Sequence, residues 1–391
     1  MTVAGIDYTM IDTQEGLESF YHQHTGIDWM GFDTEFIGEK RYHTLLCLIQ
    51  ISTENGFYLL DPIEVTDLTY FLRLVENPDI IKITHAGDND YRLLYRAYGT
   101  VPANVFDTQV AAAFCGHRYP TSFAKLVDAE VGENVGKGYA VTDWSKRPMS
   151  EKQIKYALTD VLYLRKLYDT ITAKLKDNGR LDWALEECAL MASEDYYYRD
   201  PNHEFLNSNI ARSSRTKERV FLLRLYEWRR SQAEQRNYSK EMILPSKLIG
   251  QLVRGVRGGK QSMQDNRRLP GKTVGRYGDM FVNFYEKDAT PEELKIVKSV
   301  QRSSQEDEED DMIVELLYLL MKYRANEADI SHALVMPRNA IRRMKQDDEV
   351  RKSILGSGWR RELLGDDFVN WLKNFDHLTM KIEGGKISLT T

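Results

Sequence analysis

The sequence predicts an α/β domain built on a mixed sheet, followed by helical units, and three observations carry that expectation. Short apolar runs alternate with amphipathic segments up to about residue 200. The tight-turn pair Asn55-Gly56 sits between two of those runs, as a hairpin requires. Beyond "YYYRDPNHEF" the apolar period becomes helical almost throughout.

Taken in order, "WMGFDTEF", "TLLCLIQIS" and "GFYLLD" read as three strands separated by "IGEKRYH" and "TENG", an antiparallel meander. "LTYFLRLVEN" is an amphipathic helix ended before Pro78, and "DIIKITHAG" a strand. "NDYRLLYRAYG" continues as a helix closed by Gly99, and "NVFDTQ" holds a further strand end. Helices are expected from about Thr121 to Val131 and, as one element, from about Ser150 to Lys176. Strands followed by alternating helices and strands make the first domain α/β, over residues 1–205. "TKERVFLLRLYEWRRSQAEQRN" opens a helical domain over 210–290, with Val220, Leu223 and Trp228 on or near one face. An acidic linker over 291–311 leads to a second helical domain over 312–378, and "EGGKISLTT" reads as a frayed tail.

The 391 residues, 42% of them hydrophobic, suit a globular chain of two or three domains. No apolar run approaches the ~18–20 residues that span a bilayer, so no membrane partner is expected. "MTVAGIDYTM" has no basic region or apolar signal core, which makes the expected address cytoplasmic. Cys47, Cys115 and Cys188 are scattered, showing neither metal spacing nor a disulfide framework. The net charge of −6 argues against nucleic acid only until its distribution is read. Glu306, Asp307, Glu308, Glu309, Asp310 and Asp311 match that whole charge. Positions 246–276 carry Lys247, Arg254, Arg257, Lys260, Arg267, Arg268, Lys272 and Arg276 against Asp265 alone. A phosphate backbone responds to that local field, so Arg254, Arg257, Lys260, Arg267, Arg268 and Lys272 are candidate nucleic-acid contacts. The competing reading is an ordinary solvated helix and loop surface.

The acids carry the chemistry. In a strand, residues i and i+2 share a face, so Asp33 and Glu35 project together about 7 Å apart along the chain. Two such carboxylates repel unless a cation lies between them, and hard divalent ions take oxygen ligands of this kind. Alone, the pair is the surface face of an edge strand. "ITHAGDNDYRLL" adds Asp90 where a strand gives way to a helix, beside Asp88 and His85; alone it is a capping acid. "EKQIKYALTDVLYLRKLYD" places Tyr156 and Asp160 four residues apart, on one helix face. Strand D-x-E, then Asp, then Y-x-x-x-D is a combination that independent bland readings do not produce.

"FDTEF", "HAGDND" and "YALTD" resemble the three exonuclease motifs of the DEDD superfamily in its tyrosine-bearing branch. "TDWSKRPMSEKQIKYALTDVLYL" is especially similar to the ribonuclease D family. The histidine branch would carry a His five residues before the last acid, where this chain has Lys155. "VFLLRLYEWRRSQAEQRN" with "MILPSKLIGQLVR" resembles an HRDC domain, and "MPRNAIRRM" with "LGSGWRRELLGDDFVNWL" resembles a second. The stretch "GKGYAV" before "TDWSKRP" departs from the Lys-Ser-rich run of the family.

The resemblance implies a ribonuclease H-like exonuclease domain followed by two HRDC-type domains. It also implies 3′–5′ hydrolysis of RNA, such as transfer RNA precursors, by two divalent ions (Mg²⁺, with Mn²⁺ a substitute) and no organic cofactor. Asp33 would bridge the ions, Glu35 and Asp160 would hold the one that activates water, and Asp90 the second. Tyr156 would orient the attacking water. Phe36, His85 and Gly87 would help shape the terminal-nucleotide pocket, and Asp107 is read as a strand-end cap. The expected partner is RNA with a free 3′ end, acted on by a monomer. A repair-type DNA exonuclease and a catalytically dead nucleic-acid-binding protein are the competing readings. The second needs a missing carboxylate, and all four are present.

Overall fold

The computed structural model describes residues 1–136, 142–300, 308–336, 355–366, 369, 379–383 and 386–390. The chain forms two compact units: residues 1–35, 46–197 and 308–391 make one, and residues 36–45 and 198–307 the other.

The first unit is built on strands β1 (Thr2–Val3), β2 (Ile6–Ile11), β3 (Trp29–Ile37), β4 (Leu45–Thr53), β5 (Gly56–Leu60), β6 (Ile81–Thr84) and β7 (Val105–Asp107). They lie in the order β1-β2-β5-β4-β3-β6-β7. The expected meander is the β5-β4-β3 stretch of that sheet, with β4 and β5 antiparallel and Thr53 paired with Gly56 across the Asn-Gly turn. β6 lies parallel to β3 and β7 parallel to β6, so the sheet is mixed. β2 is parallel to β5. Polar residues interrupt it at alternate positions, so it shows no apolar run in the sequence. β4 is buried along nearly its whole length, as an interior strand must be, while two-residue β1 forms an edge.

The sheet is accompanied by helices α1 (Gln14–His24), α2 (Thr69–Glu76), α3 (Asp88–Tyr98), α4 (Thr108–Ala113), α5 (Phe123–Val131), α6 (Glu151–Leu162), α7 (Leu164–Asp177) and α8 (Leu181–Ala189). α6 and α7 correct the single helix expected there. The chain leaves helical geometry at Tyr163 (φ −105°, ψ 0°), with no Gly or Pro to mark the break. The bend goes with a close approach: Leu164 and Ser52 both crowd the Cα of Gly31 on β3. A Cβ there would sit 2.5 Å from Ser52 Oγ and 3.1 Å from Leu164 Cδ1. One face of β3 sends Met30 and Phe32 into the main core, where Phe71 and Tyr91 meet the Phe32 ring edge-on at 5.7 and 5.5 Å. On the other, Trp29 packs with Ile83, Val161 and Leu164.

Residues from 308 onward belong to this first unit. Helix Glu308–Glu327 adds Leu317, Leu320 and Met321 to the core. Trp359, fully buried, meets the Phe114 ring at 4.8 Å. Its neighbour Arg360 grips both carboxylate oxygens of Glu187 at 2.6 and 2.8 Å. Most of "MPRNAIRRM", the linker residues 301–307 and most of "GKGYAV" lie outside the described residues. The tail expected to fray pairs instead as an antiparallel hairpin, β8 (Thr379–Glu383) with β9 (Lys386–Thr390).

The second unit is helical. Thr216–Arg236, Ser246–Val256, Gly271–Glu286 and Pro291–Ser299 surround Phe221, Leu252 and Phe281. Three arginines of the long helix are buried and knit the unit. Arg224 binds both oxygens of Glu293 (2.6 and 2.7 Å) and the carbonyls of Phe284, Lys287 and Asp288. Only a planar five-donor group fills such a site.

Candidate active site

β3 puts Asp33 and Glu35 on one face, both half-buried, and Thr34 on the other. α6 brings Tyr156 and Asp160 over the same face as the acids. A capping box at Ser150 and Gln153 fixes where that helix starts. Ahead of it, Arg147 anchors the incoming segment to the sheet. It donates to Asp61 Oδ2 at 2.5 Å and Oδ1 at 2.7 Å, and to the carbonyl of Cys47 on β4. As a result one carboxylate oxygen each from Asp33, Glu35 and Asp160 lies within 4.8 Å of the others.

Asp90 stands outside that trio, buried in the first turn of α3, where it accepts a hydrogen bond from the Thr34 hydroxyl. It is near enough that its charge and that of Asp33 disfavour one another. The loop before α3 is held by Asp107. This carboxylate caps α4 through the amides of Gln109 and Val110 and also accepts from those of Ala86 and Gly87. The cap read from the sequence is present, and the clamp on the Asp90 loop is an added task. Ala86 takes the left-handed conformation (φ 58°), which the Asp107 clamp helps to hold.

The electrostatics follow from burial and crowding. Asp33 is raised to about 8, first by burial and then by Asp160. Glu35 is raised to about 9 by burial and by Asp33, Asp160 and Asp90. Asp160 rises to about 7 through burial, although a hydrogen bond from Tyr156 opposes the shift. Asp90 is held well above the carboxylate range by burial and Asp33. Among the described residues no cation is among the charges that shift these four acids. Asp160 Oδ2 is buried without a hydrogen-bond partner. Buried acids with an orphaned oxygen and no basic counter-group fit a hard divalent cation. Tyr156 is pushed well up by burial and by Asp160, Glu35 and Asp33, so near neutral pH its hydroxyl stays protonated and donates.

The other sequence candidates take varied places. Both ring nitrogens of His85 are engaged, Nδ1 with Thr108 Oγ1 at 3.0 Å and Nε2 with the Thr121 carbonyl at 3.2 Å. Gly87 donates to Asp107 Oδ2 at 2.7 Å, and a Cβ there would meet Thr84 Oγ1 at 2.6 Å. Phe36 is 38% exposed. In the basic segment, Arg257 pairs with Glu218 and Lys260 with Asp279, while Arg254, Arg267, Arg268 and Lys272 are exposed. Sequence reasoning missed Thr34, Gly31 and Arg147. Arg147 alone left a signal, the adjacent Pro148 in "SKRP", which marks a loop and not a helix interior.

The 3′–5′ exonuclease family matches residues 8–176, a span that contains all four acids and the tyrosine. Ribonuclease D of Zymomonas mobilis is 29% identical over 371 residues, covering 93% of each chain. Ribonuclease D of Escherichia coli is 27% identical over 386 residues, covering 95% of this chain and all of that one. Residues 8–176 are thus a 3′–5′ exonuclease domain, and the chain is similar to ribonuclease D over nearly its whole length. The crystal structure of Escherichia coli RNase D, described as an exoribonuclease involved in structured RNA processing, superposes with a TM-score of 0.82 at 25% identity. It covers 95% of this chain and 100% of that one. The exonuclease therefore has the ribonuclease H-like catalytic fold and HRDC-like helical regions that its sequence implied. Among the described residues, no helix is long and apolar enough to cross a membrane.

Proposed function

We propose that this exonuclease shortens RNA from a free 3′ end by a two-metal mechanism, releasing nucleoside 5′-monophosphates, with transfer RNA precursors or other structured RNA as substrate. The observation that carries the reading is the trio of Asp33, Glu35 and Asp160 with its orphaned Asp160 oxygen. Asp33, Glu35 and Asp160 would hold one divalent ion, and Asp90 with Asp33 would hold the second. Bound there, Mg²⁺ or Mn²⁺ lowers the pKa of water and offsets charge on the entering and leaving oxygens. Among the described residues no Cys/His cluster accompanies the acids, which disfavours Zn²⁺.

Each residue's task follows from its surroundings. Tyr156, whose protonated hydroxyl faces Asp160, hydrogen-bonds the attacking water and orients it. Thr34 keeps Asp90 turned toward Asp33, and Asp107 keeps the helix that carries Asp90 in place. Phe36 is the exposed ring available to a terminal base, whereas His85 and Gly87 shape the site from behind. Arg254, Arg267, Arg268 and Lys272 of the helical unit are free to meet phosphates further along the strand.

The test is incubation with 3′-labelled single-stranded RNA and DNA, with Mg²⁺, with EDTA, and as Asp33→Asn. Mononucleotide release from RNA, lost with EDTA and with the substitution, is the expected result. Release that survives either one sinks the two-metal mechanism, and a strong preference for DNA sinks the RNA assignment.

A further inference from the structure

The connection that leaves β3 holds three basic residues that the activity described so far does not use. Lys40, Arg41 and His43 are exposed, against one acid, Glu39. Among the described residues none of the three forms an ion pair. The loop is nonetheless built to one shape. The Arg41 amide donates to the Gly38 carbonyl at 3.3 Å, closing a tight turn with Lys40 in the left-handed conformation (φ 62°). The far side of the turn is pinned to the C-terminal end of helix Thr216–Arg236. Ser239 N–H donates to the Lys40 carbonyl at 3.0 Å, and His43 N–H to Asn237 Oδ1 at 2.9 Å. Asn237 is itself left-handed (φ 49°), the ordinary conformation of an asparagine that ends a helix, so the strain sits at Lys40 and these two bonds hold it. Such strain persists where the surroundings over-determine it, and it is commonest at binding sites. Between Asn237 and Ser239 lies Tyr238, 48% exposed.

A rigid turn carrying unpaired cations beside an exposed aromatic ring has the chemistry of a single-strand grip. Cations meet phosphates, and a flat ring accepts a base without reading sequence. The turn is also tethered to the reaction. Lys40 lies five positions beyond Glu35 along the chain, so the two lie within about 18 Å of one another at full extension. In the 246–276 segment, by contrast, Arg257 and Lys260 already hold acids of the protein.

Resting on the exoribonuclease reading, we infer that Lys40 and Arg41 bind phosphates of the RNA strand upstream of the scissile bond, with Tyr238 as a stacking platform for a base. The loop is thus a substrate-positioning site on the exit of the catalytic strand. The test compares wild type, the double variants Lys40→Gln/Arg41→Gln and Lys40→Glu/Arg41→Glu, and Tyr238→Ala with Tyr238→Phe. Each is assayed as full chain with Mg²⁺ on a dinucleotide and on a longer single-stranded RNA, with thermal melts to verify folding. The KM for the longer RNA is expected to rise about tenfold in the Gln pair and further in the Glu pair, with a much smaller change on the dinucleotide. The slope of log affinity against log salt should fall by about 0.7 for each phosphate that a variant no longer neutralises. Tyr238→Ala should raise KM about fivefold or more, and Tyr238→Phe should restore it. Wild-type RNA cleavage with all variants at wild-type KM and salt slope overturns the loop assignment alone. Failure of wild type to cleave RNA overturns the exoribonuclease reading, and the loop assignment with it.

Discussion

Asp33→Asn should abolish activity and, with metal removed, make the protein more stable. The folded protein raises Asp33 from its ordinary 3.8 to about 8, so between those values folding takes up a proton. The folded state binds more protons than the unfolded one there, so stability falls as pH rises through that window. By pH 7 the carboxylate has been carried about 3 units past its unfolded pKa, an upper bound of roughly 4 kcal/mol. Asp33 is half-buried and shares its repulsion with Asp160, which reduces the figure to about 1–2 kcal/mol. The asparagine carries no charge and escapes this cost. Thermal melts in EDTA at pH 5 and pH 8 provide the assay. The melting temperature of wild type should drop relative to the variant as pH rises, leaving the variant a few degrees ahead at pH 8. Adding Mg²⁺ should reverse the order, because only wild type has the full ligand set. A variant no more stable than wild type at pH 8 in EDTA, or an advantage equal at both pH values, would refute the electrostatic reasoning.

Other perturbations probe the remaining parts. Tyr156→Phe removes the hydroxyl that faces Asp160 and should lower kcat on the order of 10²-fold with KM unchanged, as read by steady-state kinetics. Gly31→Ala drives a Cβ into Ser52 Oγ and Leu164, which should cost about 1–3 kcal/mol in denaturant melts. Its kcat should fall as well, since Leu164 opens the helix that follows Asp160, and Ser52→Ala should restore part of the loss. Arg147→Lys keeps the charge but loses the two-pronged grip on Asp61 and the reach to the Cys47 carbonyl, an expected loss of about 2 kcal/mol by the same melts.

The sequence disclosed the α/β order of the first domain because strand and helix periods differ, and the Asn-Gly pair marked its hairpin. The acids were legible only together: D-x-E in a strand has an ordinary explanation as a surface face, but with a further Asp and Y-x-x-x-D on one helix face it makes a set that independent readings do not produce. What stayed hidden depends on tertiary structure. The break at Tyr163 has no local signal, since it follows from Leu164 settling on Gly31. Thr34 reads as a filler between two acids until α3 places Asp90 against its hydroxyl. Residues beyond 308 join the first unit through partners far away in sequence, such as Leu317 and Met321 in its core, Trp359 against Phe114 and Arg360 on Glu187.

Asp107 and Asp160 show why burial alone does not mark a metal ligand. Asp107 is 1% exposed, yet each of its oxygens is satisfied: Oδ1 by the amides of Ala86, Gln109 and Val110, and Oδ2 by that of Gly87 and the Thr84 hydroxyl. Five donors deliver the stabilisation that water gave the unfolded carboxylate, so nothing further is required. Asp160 accepts from Tyr156 but leaves Oδ2 buried and alone, facing two more acids that repel it. An arrangement this costly is retained only where another ligand completes it. The hydrogen-bond account of each acid thus separates the residue that builds the site from those that work in it. On that account Asp107→Asn should harm folding chiefly through its loop, since an amide group must turn donors toward donors, while Asp160→Asn should leave the metal-free fold intact and remove catalysis. Melts that show the opposite order of stability loss would overturn the division.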